Sequence, residues 1–172
     1  MVIVRERQLE VAQWRDLAQA LAPLRRAGLR VLTSRRLDLV RALGLDGVQL
    51  AADAVPVDEA RRWLGPDIWI GYSAHSGQEA RLAAARGVSF VTLSPIHDTE
   101  SKPGTPGRGT GWLANETRGL SVPALALGGM TADRAGAALA AGAWGVAAVS
   151  AIGAASDPER AAREFTKVVE GS

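Results

Sequence analysis

Short apolar runs alternate with longer amphipathic stretches along almost the whole chain. The apolar runs predict strands, and the Ala-, Leu- and Arg-rich stretches between them predict helices. Glycine follows most of the predicted helices and supplies the left-handed residue that turns the chain into the next strand. The predicted strands are Val2–Val4, Arg30–Thr33, Gly47–Leu50, Ile68–Tyr72, Phe90–Leu93, Ala124–Leu127 and Gly145–Val149. The predicted helices are Val11–Ala27, Arg36–Leu43, Val57–Leu64, Gly77–Arg86, a short helix after the loop 94–111, Ala132–Ala141 and Pro158–Val169.

This order predicts an α/β fold, because repeated strand–helix–strand units form parallel sheets. Nearly continuous apolar strands suit a parallel sheet that is covered on both faces. About seven β/α units are predicted, whereas a closed TIM barrel has eight. A doubly wound sheet is the competing architecture. The barrel is favoured because candidate site residues follow nearly every strand, and we expect one (β/α) barrel domain over residues 1–172.

Composition excludes several classes of protein. The 172 residues are 47% hydrophobic, which is enough for a sizeable core, and the net charge of +2 gives no footprint of a nucleic-acid binder. The chain has no cysteine and two histidines, so disulfides, thiolate nucleophiles and a His-rich metal site are not expected. No apolar run approaches the length that spans a bilayer. We therefore expect a cytoplasmic protein that binds neither nucleic acid nor membrane. The five tryptophans are expected to pack between helices and barrel.

Two late turns carry the strongest chemical signal. Gly128 and Gly129 follow a strand and precede a helix, so main-chain N–H groups can approach a ligand with no Cβ in the way. The positive end of the next helix points at the same place. Ser150 and Ala151 follow the next strand. Because the last two strand-to-helix turns of a barrel often bind phosphate, we predict a phosphate site here; a tight turn without a ligand is the alternative.

These residues belong to a longer series of motifs that resembles the thiamin-phosphate synthase superfamily, and within it the TenI-type thiazole tautomerases. The resemblance covers nearly all of the chain. The motifs are Val4-Arg5-Glu6-Arg7, Asp46-Gly47-Val48-Gln49-Leu50, Gly71-Tyr72-Ser73-Ala74-His75-Ser76, the run from Ser94-Pro95-Ile96-His97 to Lys102, Gly107-Arg108-Gly109, Leu127-Gly128-Gly129-Met130-Thr131 and Val149-Ser150-Ala151-Ile152.

The resemblance implies an eight-stranded TIM barrel of the thiamin-phosphate synthase type, in which this chain lacks the first β/α unit. An exposed edge strand is an aggregation liability, so we expect a homo-oligomer or a covering element.

The resemblance also bears on the metal. The synthase uses Mg²⁺ held by acids, and the matching positions here are Arg35 and Ala54, with Asp53 one residue earlier. Mg²⁺ prefers oxygen ligands, and Arg35 would repel it. TenI-type proteins also lack these acids and move a proton on a thiazole carboxylate phosphate without metal. The expectation is thus no cofactor, or Mg²⁺ if the synthase reaction holds.

The resemblance implies a histidine as the acid/base of a TenI-type reaction. The position that matches this histidine holds Pro95, and we expect His97, two residues further on, to take the role. A histidine titrates near neutral pH, although a loop histidine without a role is the alternative. Arg5 and Arg7 share one face of a strand end and are expected to bind anionic groups. Ser73, Thr99, Ser101 and Lys102 match hydroxyl and lysine positions near the thiazole. His75 is expected to order the start of a helix.

These observations predict a thiamin biosynthesis protein that binds a small thiazole phosphate and catalyses its tautomerisation. Two alternatives stay open. One is a thiamin-phosphate synthase that joins a pyrimidine diphosphate to thiazole phosphate, and the other is a catalytically silent phosphate-binding or regulatory relative.

Overall fold

The computed structural model describes residues 1–6, 8–101 and 103–171. Strands and helices alternate along the chain, as the apolar pattern predicts. The strands are β1 (Val2–Val4), β2 (Val31–Ser34), β3 (Gly47–Leu50), β4 (Trp69–Ala74), β5 (Phe90–Leu93), β6 (Ala124–Leu127) and β7 (Gly145–Ala147). The helices are α1 (Val11–Arg26), α2 (Leu37–Leu43), α3 (Val57–Leu64), α4 (Gly77–Ala85), α5 (Gly109–Thr117), α6 (Ala132–Ala140), α7 (Ser150–Gly153) and α8 (Pro158–Glu170).

The described residues divide into two compact units. Unit 1 comprises Met1–Tyr72 with Arg86–Ser89, and unit 2 comprises Ser73–Ala85 with Phe90–Ser172. In unit 1, β1, β2, β3 and β4 pair in parallel in chain order. In unit 2, β5, β6 and β7 also pair in parallel in chain order. The fold is therefore α/β and TIM-barrel-like, with seven strands among the described residues, which confirms the predicted fold class.

The core of unit 1 forms where α1 and α2 cover the strands. Trp14 of α1 is buried against Val31, Leu39 and Leu45, and α1 adds half-buried leucines around this cluster. Arg25, near the end of the same helix, donates from Nε to Oδ2 of Asp46 at 2.9 Å and from Nη2 to Oδ1 at 3.0 Å. These two bonds tie α1 to the start of β3.

The core of unit 2 combines apolar residues of β5 with residues of the loop and the helix that follow it. Phe90, Leu93, Ile96 and Leu113 are almost fully buried, as expected for a parallel sheet covered by helices. Phe165 of α8 is also buried. The buried apolar residues of β5 thus fix the position of this strand, and the loop that carries the candidate site residues follows it.

Three differences from the sequence prediction stand out. Strand β4 runs to Ala74, two residues beyond its predicted end, and β7 ends at Ala147. The short helix α7 was not predicted; it forms because the Gly153 N–H donates to the Val149 carbonyl at 2.8 Å. The predicted packing of the tryptophans holds for Trp14 but is wrong for Trp144, which is 72% exposed.

None of the described helices combines the length and the apolar character that a membrane crossing requires.

Candidate functional site

The turn after β6 is built so that only glycine fits it. Gly128 has φ +102° and Gly129 has φ +58°, both in the left-handed region. A Cβ on Gly128 would lie 2.8 Å from the Cα of Pro95, and a Cβ on Gly129 would lie 2.8 Å from the Cβ of His97. The glycines therefore serve two purposes, since they permit the backbone path and they let the loop after β5 lie directly against the turn.

Main-chain hydrogen bonds hold that loop in place. The Ile96 N–H donates to the Leu127 carbonyl at 2.9 Å, and the His97 N–H donates to the Gly128 carbonyl at 3.0 Å. Further along, the Gly107 N–H donates to Oδ1 of Asp98 at 2.6 Å. The loop folds back on itself and presents His97 beside the glycine turn.

The two turns predicted to bind phosphate lie next to each other. Leu127 and Ala147 are paired Cα partners in the parallel ladder of β6 and β7, so the chain leaves both strands at the same edge. Within the part of the chain that the structure describes, the N–H groups of Gly129, Met130 and Ser150 have no hydrogen-bond partner. Unpaired main-chain donors beside a helix start are suited to an anion.

His97 has a partly buried side chain. Its Nε2 is buried without a hydrogen-bond partner among the described residues. Burial lowers the pKa of His97 below its ordinary 6.5, the positive charge of Arg134 lowers it further, and Asp98 acts in the opposite direction. The imidazole is therefore neutral at neutral pH, with a ring nitrogen that can accept a proton.

Arg134 is a candidate site residue that the sequence analysis missed. It lies in the first turn of α6, and its Nη1 donates to the Gly129 carbonyl at 2.6 Å. Its place in the first turn of a predicted helix could have drawn attention to it, because cations are disfavoured near the positive end of a helix.

Ser73 and His75 lie at the end of β4 in unit 2. Ser73 is half-buried within the strand. His75 Nδ1 lies 2.9 Å from the Ser94 carbonyl oxygen, and the His75 N–H donates to Oε2 of Glu79 at 2.8 Å. Because the contact with α4 comes from the main chain and the imidazole contacts Ser94, the expectation that His75 orders the start of α4 stays a prediction.

The remaining predicted residues differ in their placement. Thr99 is half-buried and accepts a long hydrogen bond of 3.4 Å from the N–H of Ser101, which is exposed. Ala151 is half-buried in α7. Arg5 is exposed just beyond β1 in unit 1. The predictions for Arg7 and Lys102 fall outside the described residues.

The residues of unit 1 do not fit a magnesium ion. Arg35 has φ +66°, the left-handed region that a non-glycine residue rarely adopts. Its Nη2 donates to Oδ1 of Asp53 at 2.5 Å. No group of three or more His, Asp or Glu side chains among the described residues could hold a metal ion. A guanidinium thus occupies the position where the resemblance implies an acid, and it neutralises the nearest carboxylate.

A depression of about 460 Å³ lies at the opposite end of the strands of unit 2, between residues 117–124 and 142–144. It faces the amino end of β6, whereas the unpaired donors and His97 lie at the carboxyl end. Since ligands of parallel α/β folds bind at the carboxyl ends of the strands, this depression is not the candidate site.

The fold and the site together define a TIM-barrel-like α/β protein with its candidate site at the carboxyl ends of β5, β6 and β7. The sequence profile of the family described as thiamine monophosphate synthase matches residues 1–152. The chain belongs to this family.

Individual relatives agree with the family. A thiamine-phosphate synthase of Methanoculleus marisnigri is 42% identical over 156 residues, which is 88% of this chain and 74% of the relative. One of Roseiflexus castenholzii is 35% identical over 167 residues, which is 96% of this chain and 73% of the relative. The solved structure of a thiamine phosphate pyrophosphorylase from Pyrococcus furiosus superposes with a TM-score of 0.88 at 26% identity, covering 98% of this chain and 82% of that one.

Proposed function

We propose that this chain is an enzyme of thiamin biosynthesis that holds a thiazole phosphate with the turns after β6 and β7. The observation that carries the proposal is the set of unpaired N–H groups at Gly129, Met130 and Ser150, which two paired strands bring to one edge. Main-chain donors in this arrangement bind phosphate oxygens.

The first candidate reaction is the one for which the relatives are named, the synthesis of thiamine phosphate. In it the thiazole phosphate would be joined to a pyrimidine diphosphate, with release of diphosphate. The site in unit 2 would bind and orient the thiazole partner. Because Arg35 and Asp53 do not form a metal site, no step of this reaction is assigned to Mg²⁺ in this chain.

The second candidate is the metal-free tautomerisation of a thiazole carboxylate phosphate, and a specific observation favours it. The neutral His97 lies against the glycine turn with its Nε2 buried and unpaired among the described residues. Such a group can take a proton from one position of the bound thiazole and return it to another. This reaction needs no divalent cation, which agrees with the Arg35–Asp53 pair.

One experiment separates the candidates. Purified protein is incubated with thiazole phosphate and pyrimidine diphosphate, with Mg²⁺ or with EDTA, and thiamine phosphate is measured. In parallel, deuterium incorporation into thiazole carboxylate phosphate is followed in D₂O. Coupling supports the first candidate, and deuterium exchange that is lost in His97→Ala supports the second. Thiazole phosphate binding without either reaction identifies a catalytically silent relative, and absence of binding rejects the proposal.

A further inference from the structure

Arg134 occupies a place in α6 that is electrostatically unfavourable unless an anion is near. It is the third residue of the helix Ala132–Ala140, within one turn of the positive end of the helix dipole. A cation there is destabilising, because it faces the positive end of the dipole. The neighbouring Asp133 follows the usual preference for an acid in the first turn, so the arginine is the exception that needs a reason.

The contacts of Arg134 leave most of its donors available. Nη1 donates to the Gly129 carbonyl at 2.6 Å, and the side chain is otherwise exposed. Within the described ranges, Arg134 forms no ion pair with a carboxylate. Arg25, by contrast, is held by both oxygens of Asp46. A guanidinium presents five N–H donors in a planar fork, so Arg134 keeps donors for a ligand.

The contact with Gly129 also fixes where those donors lie. The carbonyl that Arg134 holds belongs to the residue whose own N–H is unpaired, and His97 lies on the other side of the same turn, where a Cβ on Gly129 would be 2.8 Å from the His97 Cβ. The guanidinium, the free main-chain donors and the imidazole therefore all lie beside the same turn at the end of β6.

We propose that Arg134 is a ligand-binding residue that lets this site select a phosphomonoester over the same molecule without its phosphate. The inference rests on the proposed function, because it concerns the same site. The main-chain N–H groups donate directional hydrogen bonds to the phosphate oxygens, and Arg134 supplies a full positive charge. Charged and directed donors together bind a dianion more strongly than either does alone. A neutral alcohol makes no comparable use of the guanidinium.

The test compares three ligands and three variants. Calorimetric titration measures the affinity for the thiazole phosphate, for the corresponding thiazole alcohol and for inorganic phosphate. Arg134→Gln removes the charge, and Arg134→Lys keeps the charge without the fork. Arg118→Gln is the matched control, because Arg118 is an exposed arginine at the end of α5. Thermal unfolding of each variant reports whether the fold is kept.

We expect Arg134→Gln to weaken binding of both phosphates by about 10- to 100-fold, as for loss of a hydrogen bond to a charged group. Alcohol binding and the unfolding midpoint should stay unchanged, Arg134→Lys should be intermediate, and Arg118→Gln should match the wild type. Phosphate affinity of Arg134→Gln equal to that of the wild type overturns the inference and leaves the proposed function standing. Equal losses for phosphate and alcohol show a structural role and also overturn it. If the wild type binds no phosphate, both proposals fall.

Discussion

The N–H of His97 donates to the carbonyl of Gly128 at 3.0 Å, and this one bond joins the loop after β5 to the turn after β6. It places the only candidate acid/base of the sequence prediction against the predicted phosphate turn. The main chain of His97 and the candidate anion donors are thereby held next to each other, and the His97 side chain sets where the imidazole lies.

The tight contact between this loop and the turn predicts a large effect of Gly129→Ala. The new Cβ would meet the Asp98 carbonyl and the His97 side chain, and φ +58° is strained for alanine. We expect a loss of about 1–3 kcal/mol in the free energy of unfolding, together with weaker phosphate binding, because the loop must move. Urea unfolding and calorimetric titration measure the two effects.

Gly111→Ala is the control for that variant. Gly111 lies in α5 with nothing within 4 Å of a Cβ built on it, so alanine should be neutral or should stabilise the helix by up to about 1 kcal/mol. If Gly129→Ala behaved like Gly111→Ala in both measurements, the close packing of the loop on the turn would be incorrect.

The contacts of Asp46 predict that Asp46→Asn destabilises the protein. The Asp46 carboxylate accepts two bonds from Arg25 and one from the Val31 N–H at 2.8 Å. Burial alone would raise the pKa of Asp46, but the bonds from Arg25 and Val31 outweigh it and hold the pKa below its ordinary 3.8. We expect Asp46→Asn to cost about 1–3 kcal/mol at pH 7, measured by urea unfolding.

The sign of the pH effect at Asp46 follows from this lowered pKa. The stabilisation is complete above pH 3.8 and is lost as the pH falls through the lower folded pKa. Asp16→Asn serves as the control, because the Arg15–Asp16 pair is exposed and such pairs contribute little. Equal stability of the two variants at pH 7 would contradict the role given to Asp46.

The strands could be predicted from sequence because each is a short apolar run with glycine or charged residues around it. β3, β5 and β6 have the predicted bounds, Gly47–Leu50, Phe90–Leu93 and Ala124–Leu127. The helix α7 was missed because four residues show no helical periodicity. Trp14 and Trp144 could not be distinguished either, because hydrophobicity alone does not say which tryptophan lies under a helix.

Only the part of the candidate site that leaves a local sequence pattern could be predicted. Glycines that precede a helix leave a local pattern in the sequence, so Gly128 and Gly129 could be singled out. Arg134 leaves only its place in the first turn of a predicted helix, where a cation is disfavoured, and that place does not say what its side chain contacts. Only the folded turn shows that its side chain reaches the Gly129 carbonyl. Likewise, the pairing of Arg35 with Asp53 depends on a backbone conformation that residue order does not specify.

The Arg35–Asp53 pair predicts that the wild-type protein does not bind Mg²⁺ at the ends of β2 and β3. Calorimetric titration with MgCl₂ should give no heat of binding up to millimolar concentrations. Arg35→Asp exchanges the guanidinium for a second carboxylate beside Asp53, and oxygen ligands of this kind are the ones Mg²⁺ prefers. We expect weak Mg²⁺ binding in this variant, and none in Arg35→Gln, which removes the guanidinium beside Asp53 without adding a carboxylate. Wild-type binding at this place would show that the guanidinium does not exclude the ion.

The lowered pKa of His97 predicts a pH dependence of stability that can be assigned to one residue. The folded protein disfavours the protonated imidazole, first through burial and then through Arg134, whereas the unfolded chain protonates it with an ordinary pKa of 6.5. Below pH 6.5 the unfolded state therefore binds more protons than the folded state, and the free energy of unfolding falls as the pH falls toward the folded pKa. Above pH 6.5 both states are neutral at this residue and the dependence ends.

His97→Gln removes the titrating group, so its stability should change less between pH 7.5 and 5.5 than that of the wild type, as measured by urea unfolding. Arg134→Gln should lie between the two, because it removes one of the two causes of the shift. The same slope in wild type and His97→Gln would mean that another group titrates in this range and that His97 is not held neutral by the fold.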